Sequence, residues 1–403
     1  MFGTLAQALT LEECIDKSIQ SHPDIKYALL NVGSSEDAIK IAKSDYLPQV
    51  TLNAEYDPTR TYVLPVNGTF QTKDSDGWSV GGVLHQKIWD FSKTSANIEA
   101  KRASKDVAKL TLKEAKALLA YRVKLQYELM LVQAEAIQVK EKDLRLKEEL
   151  FKQAEAFVRN GLKTEVDSTR FLSAVYLAKD NLAIAKASYE KAKVSLGLYM
   201  GEVLPQDVVL QNTLKPITSL DVDEKTLLKN SLTLKTLQKS IQEEGSNYKV
   251  AKASHYGSLD ATASYTEQRT LNQYDSSLVG VTLSIPLYSG GKTSAQVQLA
   301  VINRQKTQAT YMSKKRAIQE EFENLLIDIK RYAQTIQARE AELKTAQQTQ
   351  KLLAARYKEG LSTYIEVLDA NAIILDAKLS LLQAIYEQSS AIHRVEYLQG
   401  KIV

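Results

Sequence analysis

Apolar and polar residues alternate with a period of two in four stretches of the chain. Val50, Leu52, Ala54 and Tyr56 interleave with Gln49, Thr51, Asn53 and Glu55. Leu259, Ala261, Ala263 and Tyr265 interleave with Asp260, Thr262 and Ser264, and Val279, Val281, Leu283, Ile285 and Leu287 with Gly280, Thr282 and Ser284. The run 78–88, with Trp78, Val80, Leu84 and Ile88, has the weakest alternation. Period two predicts strands with one apolar and one polar face. Two hairpins supply four strands of about ten residues, too few to close a barrel, which needs about eight. The edges left open are a liability.

The texture then changes. No proline occurs between Pro65 and Pro205 or after Pro286, and each span from Lys93 to Leu196 and from Lys292 to Gln399 holds one glycine, Gly161 or Gly360. Ala, Leu, Lys, Glu and Gln dominate, all good helix formers. The pattern predicts helices over 92–158 and 292–357, turns at Gly161 and Gly360, and return helices to about 199 and 398. A helix of 67 residues is about 100 Å long, which fits a coiled-coil-like hairpin and no compact globular domain. Phe171, Val175, Ala178, Leu182, Ala185, Tyr189, Ala192 and Leu196 form a heptad seam, as do Leu361, Ile365, Leu368, Ala372, Leu375, Leu379, Leu382 and Tyr386. The latter helix carries a second stripe, Ile374, Ala377, Leu381, Ala384 and Val395. Two stripes imply two neighbours, as in the wall of a helical barrel.

The chain also repeats itself. Lys93-Thr94-Ser95-Ala96 returns as Lys292-Thr293-Ser294-Ala295, Asn160-Gly161-Leu162 as Glu359-Gly360-Leu361, and Gly201 as Gly400, each 199 residues later. Tyr56 and its strand match Tyr265 at an offset of 209, so the first copy holds about ten extra residues. Pro58, Pro65, Asn67-Gly68 and Lys73–Gly77 mark that insertion as turn and loop. The expected organisation is a first repeat over 10–201, an irregular linker over 202–221 and a second repeat over 222–400. Each repeat opens with a helical segment of about 30 residues.

Composition narrows the classes. With 25% charged and 44% hydrophobic residues the chain is not disordered. A net charge of +4 with interleaved signs carries no nucleic-acid signal. One cysteine, Cys14, excludes an intramolecular disulfide and reads as a small core residue. Four scattered histidines predict no zinc cluster. No apolar stretch reaches 18 residues, which excludes a transmembrane helix but not a β-barrel. Ala6-Gln7-Ala8 fits the end of a secretion signal, or an ordinary ragged terminus. Ser289-Gly290-Gly291-Lys292-Thr293 lacks the first glycine of a phosphate-binding loop, since Pro286 holds that place. Asn67-Gly68-Thr69 reads as a turn rather than a glycosylation site. No catalytic set has a recognisable spacing, so no enzyme, metal or cofactor is expected.

Amphipathic strands, very long helical hairpins and a duplication together resemble the TolC-like outer-membrane efflux proteins, from Leu11 to Gly400. The most specific likenesses are the tips, Asn160-Gly161-Leu162 with Val166-Asp167 and Tyr357-Lys358-Glu359-Gly360-Leu361 with Ile365–Ala370, and the strand-to-helix junction Ile285–Lys292. The resemblance implies a mainly helical α and β protomer of a homotrimer, with a 12-stranded outer-membrane β-barrel and a 12-helix periplasmic α-barrel. The opening helices and linker would form a belt. Such a trimer is a passive exit duct for a tripartite efflux pump or type I secretion system. A periplasmic adaptor docks at its tips and links it to an inner-membrane pump.

The resemblance also assigns residues. Gly161, Leu162, Gly360 and Leu361 are the tip turns and adaptor-docking points. Glu366 and Asp369 fall on an acidic periplasmic aperture, where crowded carboxylates favour cations and raise one another's pKa. Without the resemblance they read as acids suited to a helix N-terminus. Tyr357 and Asp167 sit where a polar link closes the tip, whereas Ser362 replaces an arginine that would supply a further ion pair. The alternatives are a periplasmic coiled-coil adaptor without a channel, which usually has one hairpin, and an enzyme, for which no site is found.

Overall fold

A computed structural model describes residues 9–211, 214–216 and 222–402. The segment holding Ala6-Gln7-Ala8 lies outside the described residues, as do 212–213 and 217–221 of the linker. The elements are α1 (Leu11–Ser21), α2 (Pro23–Ser44), β1 (Gln49–Val66), β2 (Thr69–Trp89), α3 (Lys93–Arg159) and α4 (Glu165–Met200). There follow α5 (Glu224–Asn230), α6 (Leu232–Ala253), β3 (Ser258–Arg269), β4 (Gln273–Ser284), α7 (Lys292–Lys358) and α8 (Tyr364–Leu398). The succession helix, helix, strand, strand, long helix, shorter helix thus occurs twice.

Two expectations need correction. The opening helical segments are each broken in two. Pro23 lacks an amide hydrogen and forces His22 into an extended conformation (φ −69°, ψ 129°), which ends α1. In the second copy Ser231 makes the break (φ −50°, ψ 119°). The ten-residue insertion is strand, not loop. It lengthens β1 and β2 to 18 and 21 residues, against 12 each for β3 and β4. Asn67 and Gly68, both at positive φ (49° and 77°), form its two-residue turn. The prolines are tolerated because β1 is an edge strand, with no strand beside its outer side among the described residues.

The chain divides into two compact units, one of residues 29–110 and 235–313 and one of residues 1–28, 111–234 and 314–403. The first holds an antiparallel sheet of order β1-β2-β3-β4. Ion pairs Lys105–Glu36 (2.7 Å), Lys239–Asp106 (2.9 Å) and Lys249–Glu99 (3.2 Å) tie its helical segments together.

In the second unit four helices lie in the order α4–α3–α8–α7. Gln126 donates to the Ala192 carbonyl (3.0 Å) between α3 and α4. Ser389 donates to Glu128 (2.6 Å) between α8 and α3, and Arg394 Nε to Glu321 (2.6 Å) between α8 and α7. The α4 seam is as expected: Phe171, Val175, Ala178, Ala185, Ala192 and Leu196 are buried. In α8 the two stripes are covered unequally within the chain. The second stripe is the packed one, with Ala377, Ala384 and Val395 buried beside Val367 and Ile392. The seam from Leu361 to Tyr386 is only half-covered, with Leu361, Ile365 and Ala372 exposed. A further apolar stripe stays open on α4, at Leu177, Ile184 and Leu198, the last 80% exposed.

This unit has a core of Cys14, Ile15, Tyr127, Met130, Leu196 and Met200. Tyr127 donates its hydroxyl proton to the Leu9 carbonyl (2.9 Å), and Leu9 bridges to Leu210. Cys14 is fully buried, and burial pushes its thiol up to about 12, so it is an inert core residue.

Candidate functional site

Two regions are built for a task beyond folding, one in each unit. In the first, the registers of the three strand pairs bring the apolar positions onto one face. Val50 faces Leu84, Leu84 faces Ala263, and Ala263 faces Val279. Leu52, Tyr56, Val80, Trp78, Tyr265, Val281 and Leu283 share that face, and Thr51, Asn53, Glu55, Thr262 and Thr282 the other. Direct cross-strand partners point the same way, so this agreement across four strands is a built surface. It is open to solvent: Leu52 is 76% and Val279 88% exposed. A contiguous apolar face of this extent marks a membrane or partner surface. A 12-residue strand crosses a bilayer at a barrel's tilt. At one end Tyr56 pairs with Trp78, and at the other Trp89, Phe91 and Tyr256 stack (4.2 and 5.4 Å). Aromatic rings at both ends of an apolar band are how barrels meet the two water interfaces.

The second region is the paired hairpin tip. Helices α3 and α7 end in the same way, because each meets a glycine in the left-handed conformation, Gly161 (φ 72°) and Gly360 (φ 74°). Leu162 donates its amide to the Phe157 carbonyl (2.9 Å), and Leu361 to that of Arg356 (2.8 Å). Thr164 and Thr363 then cap α4 and α8. The Thr363 amide donates to Glu366 Oε2 (2.7 Å), and the Glu366 amide to Thr363 Oγ1 (3.3 Å). Asp167 plays the same part for Thr164 at 3.4 Å. Leu162 and Leu361, with Val166 and Ile365, project apolar side chains into solvent at the two turns.

Between the tips lies a core of Leu150, Ala154, Phe171, Tyr357 and Val367. Phe157 and Phe171 meet the Tyr357 ring edge-on, each 6.0 Å between centroids. Lys163 Nζ lies 5.6 Å above that ring, and Arg170 donates to the Tyr364 hydroxyl. The Tyr357 hydroxyl is buried without a hydrogen-bond partner. Burial, and then the nearby Asp167 carboxylate, raise its pKa. Tyr357 and Asp167 are therefore close, yet within one chain no hydrogen bond joins them. Ser362 donates to the Leu353 carbonyl (3.1 Å) and is buried.

Glu366 and Asp369 are both exposed and line one groove of about 540 Å³ between α7 and α8. Hydrogen bonds from Thr363, backbone and then side chain, hold the Glu366 carboxyl below its usual range. In the single chain Glu366 is thus a capping residue as well as a groove acid. Glu342, from the facing helix, brings a third carboxylate to the groove and is paired with Arg339 (2.7 Å). Sequence reasoning passed over Glu342, Lys163 and Arg170. The antiparallel return at Gly360 was the available sign for Glu342. Arg170 and Lys163 were legible only as charges within one turn of a tip. Among the described residues no group of three or more His, Cys, Asp or Glu could hold a metal ion.

An open sheet with one lipid-type face, in a chain of long helical hairpins, defines the protomer of an outer-membrane channel. The sequence profile of the Outer membrane efflux protein family matches residues 14–202 and 225–401, and the chain belongs to that family. It is 26% identical to the outer membrane protein TolC of Escherichia coli K12, over 96% of this chain and 81% of that one. It is 20% identical to nodulation protein T of Rhizobium leguminosarum bv. trifolii, over 94% and 82%. The fold superposes on CusC with a TM-score of 0.85 (18% identity; 96% and 91% covered). It superposes equally on the Campylobacter jejuni CmeC outer membrane channel (0.85; 14%; 97% and 85%). Members of the family are outer-membrane efflux channels, not enzymes, and the helices extend into the periplasm.

Proposed function

We propose that the chain is one protomer of a homotrimeric outer-membrane exit duct. Its repeats are 10–201 and 222–400, joined by the linker 202–221. Three four-stranded sheets, each with two open edges, close one 12-stranded barrel. Three four-helix rows close a 12-helix tunnel through the free flanks of α4 and α7. The observation that carries this reading is the apolar face shared by all four strands and left in solvent by the single chain. Water would not tolerate it, and four strands cannot close it.

The duct receives cargo from an inner-membrane pump, in an efflux or type I secretion system, through a periplasmic adaptor. The adaptor docks at Gly161, Leu162, Gly360 and Leu361, where paired apolar side chains stand exposed. Glu366 and Asp369, three copies of each, form the acidic periplasmic aperture. Tyr357 and Asp167 belong to the closed tip, where the buried unpartnered hydroxyl is the group that a shift of Asp167 would satisfy. The test is the state of the protein in outer-membrane fractions. A heat-modifiable trimer supports the duct, and a soluble periplasmic monomer overturns it.

A further inference from the structure

Inside the chain the two repeats meet where α8 packs on α3, and that seam is ionic. His393 of α8 lies between Glu128 of α3 and Glu396, and Glu396 also holds Lys124 of α3, each contact 2.9 Å long. Ser389, one turn earlier on α8, donates to Glu128 as well. The four charged side chains are mostly buried.

The duplication says where the same seam recurs. α3 and α7 hold 67 residues each and correspond at an offset of 199, as do α4 and α8. The counterpart of α8 on α3 is therefore α4 on α7. Within one chain α4 and α7 stand at opposite ends of the row α4–α3–α8–α7. The counterpart residues differ in kind. Val194 stands for His393, Ile327 for Glu128 and Leu198 for Tyr397. Glu323 stands for Lys124, opposite Gly197, which stands for Glu396. Glu190, in the place of Ser389, is paired with Lys193 of its own helix (2.6 Å). Val194 is 69% and Ile327 63% exposed, although one turn away the same helices bury Leu196 and Phe322.

In the strand-bearing unit the duplicated seam changes in the same direction. There α3 meets α6 through Lys239–Asp106 and Lys249–Glu99. α2 matches α6 at an offset of 209, with 22 residues in each. On α2 the exposed Leu30 takes the place of Lys239, and on α7 Gln305 and Gln298 take those of Asp106 and Glu99. Lys40, in the place of Lys249, is paired with Asp37 within α2 (2.7 Å).

We propose that the seam between copies of this chain is the neutralised duplicate of the seam between its repeats, with Val194 and Leu198 on α4 of one copy packed against Ile327 on α7 of the next. This rests on the homotrimeric reading above and adds to it the side chains that meet and the rule by which they pair. The occupant of the open α4 stripe is a second copy because the chain already contains the equivalent contact, filled by α8 and α3. The contact is head-to-tail, and such contacts close into a ring. The two versions of the seam do not exchange. His393 and Glu396 set against Ile327, or Glu128 set against Val194, would be buried charges without partners, which is strongly destabilising. Charge against charge within the chain, and apolar against apolar between copies, therefore fix which helices pair.

The test uses detergent-extracted protein, read as heat-modifiable trimer on gels and as mass in solution. Ile327→Glu should lose the trimer at a temperature at which the parent keeps it. Adding Val194→His should restore it, because the pair then repeats His393–Glu128. In a Cys14→Ser background, Val194→Cys with Ile327→Cys should yield a covalent trimer with a short bis-maleimide. A trimer that withstands Ile327→Glu and does not cross-link at these positions overturns the seam and leaves the duct standing. Loss of the trimer without rescue and without the cross-link overturns the seam too, since Ile327→Glu then acts on folding alone. A parent protein that is monomeric overturns the trimeric reading itself, and the seam with it.

Discussion

His393 Nε2 lies 2.9 Å from Glu128 Oε1 and joins α8 to α3. Its other nitrogen, Nδ1, lies 2.9 Å from Glu396 Oε2, which also holds Lys124 (2.9 Å). A carboxylate on each ring nitrogen requires a proton on both, so the ring is an imidazolium. Burial alone would lower its pKa, but the two acids outweigh burial and raise it to about 9. The His393 hydrogen bond, opposed by burial and helped by Lys124, lowers the Glu396 carboxyl to about 2.

The sign of the pH dependence follows. A raised histidine pKa contributes stability that is full below the unfolded value near 6.5 and is lost as pH rises through about 9. A lowered Glu396 contributes stability above about pH 4.5 that is lost only as pH falls toward 2. His393→Gln should therefore lower the thermal midpoint most between pH 5 and 7, at a cost of about 3 kcal/mol per protomer. The difference should shrink by pH 10. An equal difference at pH 6 and pH 10 would contradict the imidazolium.

Phe171 has no exposed surface and touches both Tyr357 and Tyr364. Phe171→Ala should cost about 3–5 kcal/mol by leaving a cavity between the tips. Limited proteolysis near Gly161 and Gly360 should accelerate in the variant, and equal cleavage rates would show that the tip core does not depend on this ring.

Tyr357→Phe removes a buried hydroxyl that has no partner within the chain, so thermal stability should change by less than about 1 kcal/mol. With Asp167→Ala added, single-channel conductance in a planar bilayer should rise. A stability loss without a conductance change would assign both residues to packing alone.

Gly257 has φ 86°, and a Cβ there would collide with the Ser284 carbonyl oxygen. Gly257→Ala should therefore disrupt the β3–β4 base and reduce outer-membrane yield. Val281→Arg, on the lipid face, should reduce it too, at about 2–4 kcal/mol if the position lies near mid-bilayer. Normal insertion of Val281→Arg would remove the face from the membrane.

Much of this was legible in the sequence. The bounds of α3 and α7 fall within one residue of those expected, because a 60-residue span without proline or internal glycine leaves a helix few other endings. The strand faces were legible for the same reason, a clean period of two. The ribbon 57–77 was not, since prolines and an Asn-Gly pair signal turns unless the strand is known to be an edge. Nor did the pattern say which α8 stripe is packed within the chain. A heptad shows that a stripe is apolar, not which neighbour covers it, and the Leu361–Tyr386 seam is only half-covered by its own chain. The roles proposed for the tip residues rest on likeness to a family and not on the residue pattern. The capping role of Glu366 was visible as Thr363 three residues earlier.

The most direct test of the duct and its acidic aperture is reconstitution of the purified protein in a planar lipid bilayer. Conductance is recorded while multivalent cations are added on the tip side. Glu366→Gln with Asp369→Asn is the informative comparison, because glutamine keeps the α8 capping box that alanine would remove. Discrete channels that cations block are expected, with weaker block in the double variant. Channels blocked equally in both would discard the aperture assignment, and correctly folded protein that forms no channels would contradict the duct itself.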